Sequence, residues 1–305
     1  MVNTENSLLV EKYRPTKLKN YVGNENIKKS ISKYLDQNDI QNLIFYGPAG
    51  TGKTTLAKLI IKNLDCDHIY INASDERGIE TIRDKVSSFA SVASFKPLKV
   101  IILDEADFLT IQAQASLRNI IETFSRTTRF IMTCNFVERI IDPLQSRCQV
   151  LKIVPPSKKD VAKHLNWICN EESITHKIND LVPLVNQYYP DLRKCINTIQ
   201  LSTQDNTLKL DQSILVSSNY IDKVISALAN KSKFNEIRQI IADANVDDFD
   251  ELFRALFDRV NEYLPGKEGT VAALINDHQY KANFRIDKEI NTMSLINNLI
   301  INKNE

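Results

Sequence analysis

The chain has 305 residues, 43% of them hydrophobic and 25% charged, with 39 Lys and Arg against 38 Asp and Glu. That is the make-up of a soluble globular protein, and the balanced charge excludes a molecule drawn onto nucleic acid by its overall field. Any contact with DNA has to come from a local basic patch. No apolar run approaches the ~18 residues that cross a bilayer, so no membrane association is expected. The opening Met1-Val-Asn-Thr-Glu-Asn-Ser stretch lacks the basic-then-apolar build of a signal peptide. The cysteines Cys66, Cys134, Cys148, Cys169 and Cys195 show no zinc-site spacing. An intracellular protein in a reducing compartment is expected: the cytoplasm, a host's cytoplasm for a viral source, or the nucleus for a eukaryotic one.

In chain order, Asn42–Tyr46 is a short apolar run closed by a glycine turn, hence a strand. Thr54–Asn63 follows with helical periodicity. His68–Ile71 reads as a second strand and Lys99–Leu103 as a third, whose unbroken apolar run implies burial on both faces. Ala113–Phe124 reads as an amphipathic helix, Arg129–Thr133 as a fourth strand and Val150–Val154 as a fifth. Strands separated by helices predict a parallel sheet covered on both sides. Pro155-Pro156 ends the pattern, and no strand is expected beyond it. Ser157–Asn170 reads as a helix N-capped by Ser157, with Asp160 three residues on. Helices continue to about residue 203, Gln204–Thr207 is a polar break, and the stretch from about 212 to 302 is helical. Pro265-Gly266 and Gly269 mark one loop in it. The expected division is an α/β domain at 1–155, a small helical domain at 156–210 and a helical C-terminal domain at 211–305.

Gly47-Pro48-Ala49-Gly50-Thr51-Gly52-Lys53-Thr54-Thr55 fits the phosphate-loop pattern G-x-x-x-x-G-K-[ST], with a strand leading in and a helix leading out. Glycines let backbone N–H groups turn around phosphates without a Cβ clash. The helix beginning near Lys53 aims its positive dipole end at the same anion. Lys53 is expected to reach the β- and γ-phosphates of ATP, and Thr54 to ligate Mg2+.

The third strand ends in Asp104-Glu105-Ala106-Asp107. Asp104 is positioned to hold Mg2+ through water, and Glu105 to polarise a water attacking the γ-phosphate. A glutamate directly after the aspartate favours water, rather than another substrate, as acceptor. Asn135 follows the next strand; in a parallel sheet these strand ends share one edge, so Asn135 is a candidate to bond the attacking water or the γ-phosphate. Arg147 lies just before the fifth strand. Arg193 lies in the first turn of a helix that Pro190 starts, where a cation opposes the macrodipole, so an anionic ligand would explain it. Either arginine, read in isolation, also fits an ordinary surface position.

With these motifs the chain resembles the AAA+ clamp-loader ATPases, meaning the small subunits of replication factor C and the large clamp-loader subunit of T4-like phages. The resemblance runs over most of the chain. It is carried by Glu11-Lys12-Tyr13-Arg14-Pro15, the phosphate loop, Asn72–Gly78, Asp104–Asp107, Thr127–Phe130 and, most specifically, Ser146-Arg147-Cys148. Ser91–Phe95 and Asp287–Met293 look more like the phage branch, and Asp104–Asp107 more like replication factor C.

The resemblance implies an AAA+ P-loop sheet, a helical lid and a separate all-helical collar that holds several subunits in a pentameric ring. It implies ATP hydrolysis that opens a sliding clamp and loads it onto primer-template DNA during replication. Arg147 would be the arginine finger for a neighbouring subunit, Arg193 the arginine reading γ-phosphate from the lid, and Glu11–Pro15 the adenine neighbourhood. Arg77, Arg83, Lys85 and Arg118 are candidates for DNA phosphates; a solvated charged helix face is the competing reading. A branch-migration motor would share the phosphate loop but not Ser146–Cys148 together with Glu11–Pro15. A non-hydrolysing scaffold would not need Lys53, Glu105, Asn135 and Arg147 intact.

Overall fold

The computed structural model describes residues 8–210, 220–244, 249–282 and 287–304. The chain divides into two compact units, Met1–Leu181 with Tyr188–Thr207, and Val182–Gln187 with Leu208–Glu305.

The first unit is built on five parallel strands: β1 (Leu43–Tyr46), β2 (Cys66–Asn72), β3 (Leu98–Asp104), β4 (Thr128–Cys134) and β5 (Gln149–Lys152), in spatial order β2-β3-β4-β1-β5. Side chains alternate faces along a strand, and here both faces are covered. Leu43, Phe45, Val100, Ile102 and Ile131 pack with Leu56, Leu59 and Ile60 of helix α3 (Lys53–Asn63) and Ile31 of α2 (Glu25–Gln37). Ile44, Ile101, Leu103, Phe130 and Met132 pack with Ile82 and Val86 of α4 (Ile79–Ser91) and Leu117 and Ile120 of α5 (Ile111–Thr123). Phe45→Ala is therefore expected to lower the stability of this unit by about 3–5 kcal/mol in denaturant unfolding, because Phe45 is fully buried on β1, between β4 and β5.

Lys99, inside the apolar third strand, is buried yet satisfied. Its Nζ donates to the carbonyls of Phe89, Ala90 and Val92 at the C-terminal end of α4. A cation there meets the negative end of the helix dipole.

Four expectations are corrected. The fifth strand stops at Lys152 instead of running to Val154, because the Val154 amide donates to Asn24 Oδ1 (2.9 Å) and leaves the ladder. Gln204–Thr207 is not a plain polar break: Thr203–Gln204 (β6) and Thr207–Leu208 (β7) form a hairpin. Asp205 and Asn206 turn it with φ of 49° and 55°, the left-handed pair of a tight hairpin turn that Asp and Asn tolerate. Helix α9 (Leu192–Ser202) is started by Asp191, whose side chain accepts from the Lys194 amide (3.0 Å), and not by Pro190. Gly269 belongs to the first turn of a helix, so the loop ends at Lys267.

Between these lie α6 (Asp142–Gln145), α7 (Lys158–Glu171) and α8 (Ile178–Tyr188); a short α1 (Leu9–Lys12) opens the chain. Ser157 caps α7, accepting from the Asp160 amide (3.1 Å) and donating to its carboxylate (2.6 Å).

The second unit contains α10 (Tyr220–Ala229), α11 (Phe234–Ala244), α12 (Asp250–Asp258), α13 (Val260–Tyr263), α14 (Glu268–Ala282) and α15 (Lys288–Asn304). The start of the predicted helical stretch, 211–219, lies outside the described residues. The core gathers Ile237, Phe253, Leu256, Tyr263, Ile296 and Leu299. Buried His278 joins α14 to α15: its Nδ1 meets Asn291 Oδ1 (3.1 Å), its Nε2 meets Asn298 Nδ2 (3.2 Å), and its carbonyl accepts from Asn291 Nδ2 (2.9 Å). Both ring nitrogens thereby have a hydrogen-bond partner. Among the described residues no helix is long and apolar enough to cross a membrane.

Candidate nucleotide-binding and hydrolysis site

All five strands run the same way, so their C-terminal ends meet on one edge, where ligands of open α/β sheets bind. The phosphate loop leaves β1 there and turns into α3 at Gly52, with φ of +92°. Two of its glycines are required by packing as well as by conformation. A Cβ on Gly47 would strike the Ile153 carbonyl, and one on Gly50, at φ +72°, would overlap the Asp191 carboxylate. Lys53 is 8% exposed. Its Nζ donates to the carbonyls of Gly47 and Pro48 and to Asn135 Oδ1, each at 2.8 Å. Burial pulls this ammonium below its usual pKa and nearby Arg193 acts in the same sense, against Cys134, Asp107 and Asp104. Its present acceptors are neutral oxygens, so an anion at this point would stabilise the charge further.

Asp104 ends β3 in a buried position and accepts from three hydroxyls. Thr54 Oγ1 (2.7 Å) and Thr133 Oγ1 reach Oδ1, and the Tyr70 hydroxyl (2.5 Å) reaches Oδ2. Burial and the Asp104 bond push the Tyr70 phenol above its ordinary pKa, which keeps it a donor. The Glu105 amide donates to Thr133 Oγ1 (3.1 Å), and Glu105 itself adopts φ of 55°. A non-glycine residue in the left-handed region costs energy and points to a role for its placement. Buried Asp107 Oδ2 accepts from the amides of Asn135 (3.2 Å) and Phe136 (3.3 Å), which holds the turn that carries Asn135 over Lys53.

One cavity gathers most of the residues singled out by motif: Tyr13, Arg14, Pro15, Ala49, Gly50, Thr51, Gly52, Lys53, Thr54, Thr55, Glu105, Asn135 and Arg193. Gly47 and Pro48 stand behind it through their carbonyls to Lys53, and Asp104 lies beneath Thr54. Glu11 and Lys12 do not line the cavity: Glu11 pairs with Arg14 and Lys12 with Glu172. The cavity also takes residues that no motif indicated, among them Tyr21, Thr133, Pro156, His164 and Ile196. At its N-terminal wall, Tyr13 packs edge-on against Trp167 (5.3 Å between centroids) and donates to Glu172, tying the first segment to α7.

Arg147 is not in this cavity. Its guanidinium bonds Glu122 of α5 and the Pro143 carbonyl (2.8 Å), beside a separate cleft lined by Tyr34, Asn42 and Arg129. Arg83 and Lys85 are exposed on α4, and Arg118 is exposed on α5, which packs against α4. Lys85 pairs with Glu76 (2.7 Å), Arg118 bonds Asn119, and Arg77 Nε donates to the Ser74 carbonyl (3.2 Å).

Residues 43–156 match the ATPase family associated with various cellular activities (AAA). The replication factor C small subunit of Haloarcula marismortui is 37% identical over 286 residues, covering 91% of this chain and 82% of that protein. The chain belongs to the replication factor C small-subunit family. The same-named proteins of Thermofilum pendens and Archaeoglobus fulgidus are 38% identical over 244 residues and 42% over 198. The first of these alignments covers 78% of the chain and 72% of that protein, the second 63% and 62%. As a member of the replication factor C small-subunit family, the chain is a nucleotide-binding ATPase and a clamp-loader subunit that functions in DNA replication. The Holliday junction branch migration motor RuvB of Thermotoga maritima shares the fold, with a TM-score of 0.58, 17% identity, and coverage of 88% of this chain and 86% of that one. At that identity the likeness concerns architecture alone.

The site of this replication factor C relative also fits a hard divalent cation. Thr54 and Asp104 offer two oxygen donors 2.7 Å apart beside the phosphate loop, and Mg2+ takes few protein ligands, leaving positions for water and phosphate. The Asp104 carboxylate is bonded directly by three hydroxyls, and the Lys53 ammonium acts on it only through space, so a bound cation would complete the charge balance.

Proposed function

We propose that the chain couples hydrolysis of ATP to opening a sliding clamp and placing it on primer-template DNA, as one subunit of a pentameric ring. In this reading residues 1–155 form the AAA+ motor, 156–210 the lid and 211–305 the collar that joins neighbours. Phosphate oxygens replace the loop carbonyls as acceptors for Lys53. Arg193, from the lid helix, meets the γ-phosphate, and Glu105 orients and polarises the attacking water. Asn135, now bound to Lys53, bonds the attacking water or the γ-phosphate in this scheme. Mg2+ held by Thr54 and Asp104 would neutralise charge between the β- and γ-phosphates. Tyr13, Arg14 and Pro15, with Glu11 and Lys12 outside them, form the adenine end.

Arg147 acts on the neighbour's nucleotide in this scheme. Loss of γ-phosphate would release the Arg147 and Arg193 contacts and loosen the ring. Arg77, Arg83, Lys85 and Arg118 are proposed to meet DNA phosphates, which would position the duplex without reading its sequence.

The observation that carries this reading is the convergence of Lys53, Glu105, Asn135 and Arg193 on one cavity, with Arg147 held outside it. The test is ATP turnover with and without primed DNA and a clamp, by the chain alone and with its partner subunits. Stimulation by both together is expected, and its absence in the reconstituted complex overturns the reading. Lys53→Ala removes a charged donor, which is expected to weaken ATP binding by about 10- to 100-fold. Wild-type affinity by calorimetry would show that Lys53 does not touch the phosphates.

A further inference from the structure

Tyr70 lies on β2, outside every motif, yet its hydroxyl donates to Asp104 Oδ2 at 2.5 Å. The parallel register explains how it reaches. Asn72 sits opposite Asp104 and Tyr70 opposite Ile102, so Tyr70 and Asp104 share a sheet face, offset by two residues on adjacent strands. The ring is 42% exposed, while the carboxylate it bonds is 6% exposed. Its outer position is fixed from α3: the Lys58 ammonium stands 4.5 Å from the ring centroid. Lys58 is on the same helix that begins with Lys53 and Thr54, so one tyrosine braces both the cation-bearing helix and the acidic strand end.

The two oxygens of Asp104 are thereby given different tasks. Oδ1 faces Thr54 and Thr133, and Oδ2 is occupied by Tyr70. A carboxylate free to rotate about Cβ–Cγ would present either oxygen; the phenol removes that freedom. We propose that Tyr70 is a positioning residue for the metal-binding carboxylate, holding Asp104 so that Oδ1 stays turned toward Thr54 and the phosphate loop. The inference rests on the assignment of Asp104 to Mg2+.

The test titrates Mg2+ against the affinity for a slowly hydrolysed ATP analogue in the full chain, for the wild type, Tyr70→Phe and Asp104→Asn. The phenylalanine keeps the ring and its contact with Lys58 and deletes only the hydroxyl. Tyr70→Phe is expected to raise the Mg2+ midpoint about 3- to 10-fold, the size of one typical intramolecular hydrogen bond. Affinity without metal should stay within about two-fold, and saturating Mg2+ should restore wild-type binding. A purely structural role would instead weaken metal-free binding as well, which thermal melts and the metal-free arm would reveal and which overturns the proposal. An unchanged or lowered midpoint in Tyr70→Phe, beside a raised one in Asp104→Asn, also overturns it while leaving the Asp104 assignment standing. If Asp104→Asn leaves the midpoint unmoved, the Asp104 assignment fails and the Tyr70 role with it.

Discussion

Arg147→Ala is expected to lower ATP turnover in the assembled complex by about 10³-fold or more, while the isolated chain binds nucleotide as the wild type does. The magnitude is that of an arginine finger supplied across an interface, on the order of 10³–10⁵ in rate. The split between binding and turnover follows from geometry. Arg147 does not line the cavity that holds Lys53 and Glu105, and its guanidinium is tied to Glu122 and the Pro143 carbonyl. Those ties do not lock it. The Arg147 and Glu122 side chains are 33% and 53% exposed, and such surface pairs contribute only ~0–1 kcal/mol. A neighbour's terminal phosphate, approached in a closed interface, offers a stronger partner than a solvated carboxylate. The measurement is turnover of complexes in which every copy of this chain carries the substitution, paired with calorimetry on the isolated chain. Full DNA-stimulated turnover would defeat the assignment. Lost nucleotide binding by the isolated chain would move Arg147 into its own site.

Glu105 separates activity from stability. Glu105→Gln keeps shape and hydrogen-bonding reach but removes the negative charge proposed to polarise the attacking water. Turnover is expected to fall about 10²- to 10⁴-fold, the usual range for a lost general base, with nucleotide affinity unchanged. Glu105→Gly is expected to lose activity to a similar degree and gain stability. The residue sits at φ of 55°, a conformation costing roughly 1–2 kcal/mol for a side chain that glycine avoids. A folded state retaining such strain at the end of the acidic strand is what an active site selected for reactivity would show. The paired measurement is single-turnover hydrolysis and denaturant unfolding of both variants. A glycine variant no more stable than the wild type would remove strain from the account. An active glutamine variant would remove Glu105 from the chemistry.

Much of the architecture was legible before folding because local rules specify it. The unbroken apolar run of β3 required two covered faces. The glycines and Lys53-Thr54 at fixed spacing required a strand, a turn and a helix N-terminus. The places where local reading failed have separate causes. The end of β5 depends on Asn24, which intercepts the Val154 amide from 130 residues away in sequence. The start of α9 is set by Asp191, whose carboxylate accepts from the Lys194 amide, a bond that the side chain of Pro190 cannot make. The hairpin at Asp205-Asn206 consists of two-residue strands too short to carry any periodicity.

Residue type and spacing alone established that this chain carries a phosphate loop on a parallel sheet, with Asp104, Glu105 and Asn135 on one strand edge, because each signal spans only a few consecutive residues. Folding was needed to bring in Tyr21, Tyr70, Thr133 and His164, and to set Arg147 against Glu122 away from the cavity. Such partners meet through sheet register and helix packing across long stretches of chain. No short window of the sequence contains both members of such a contact.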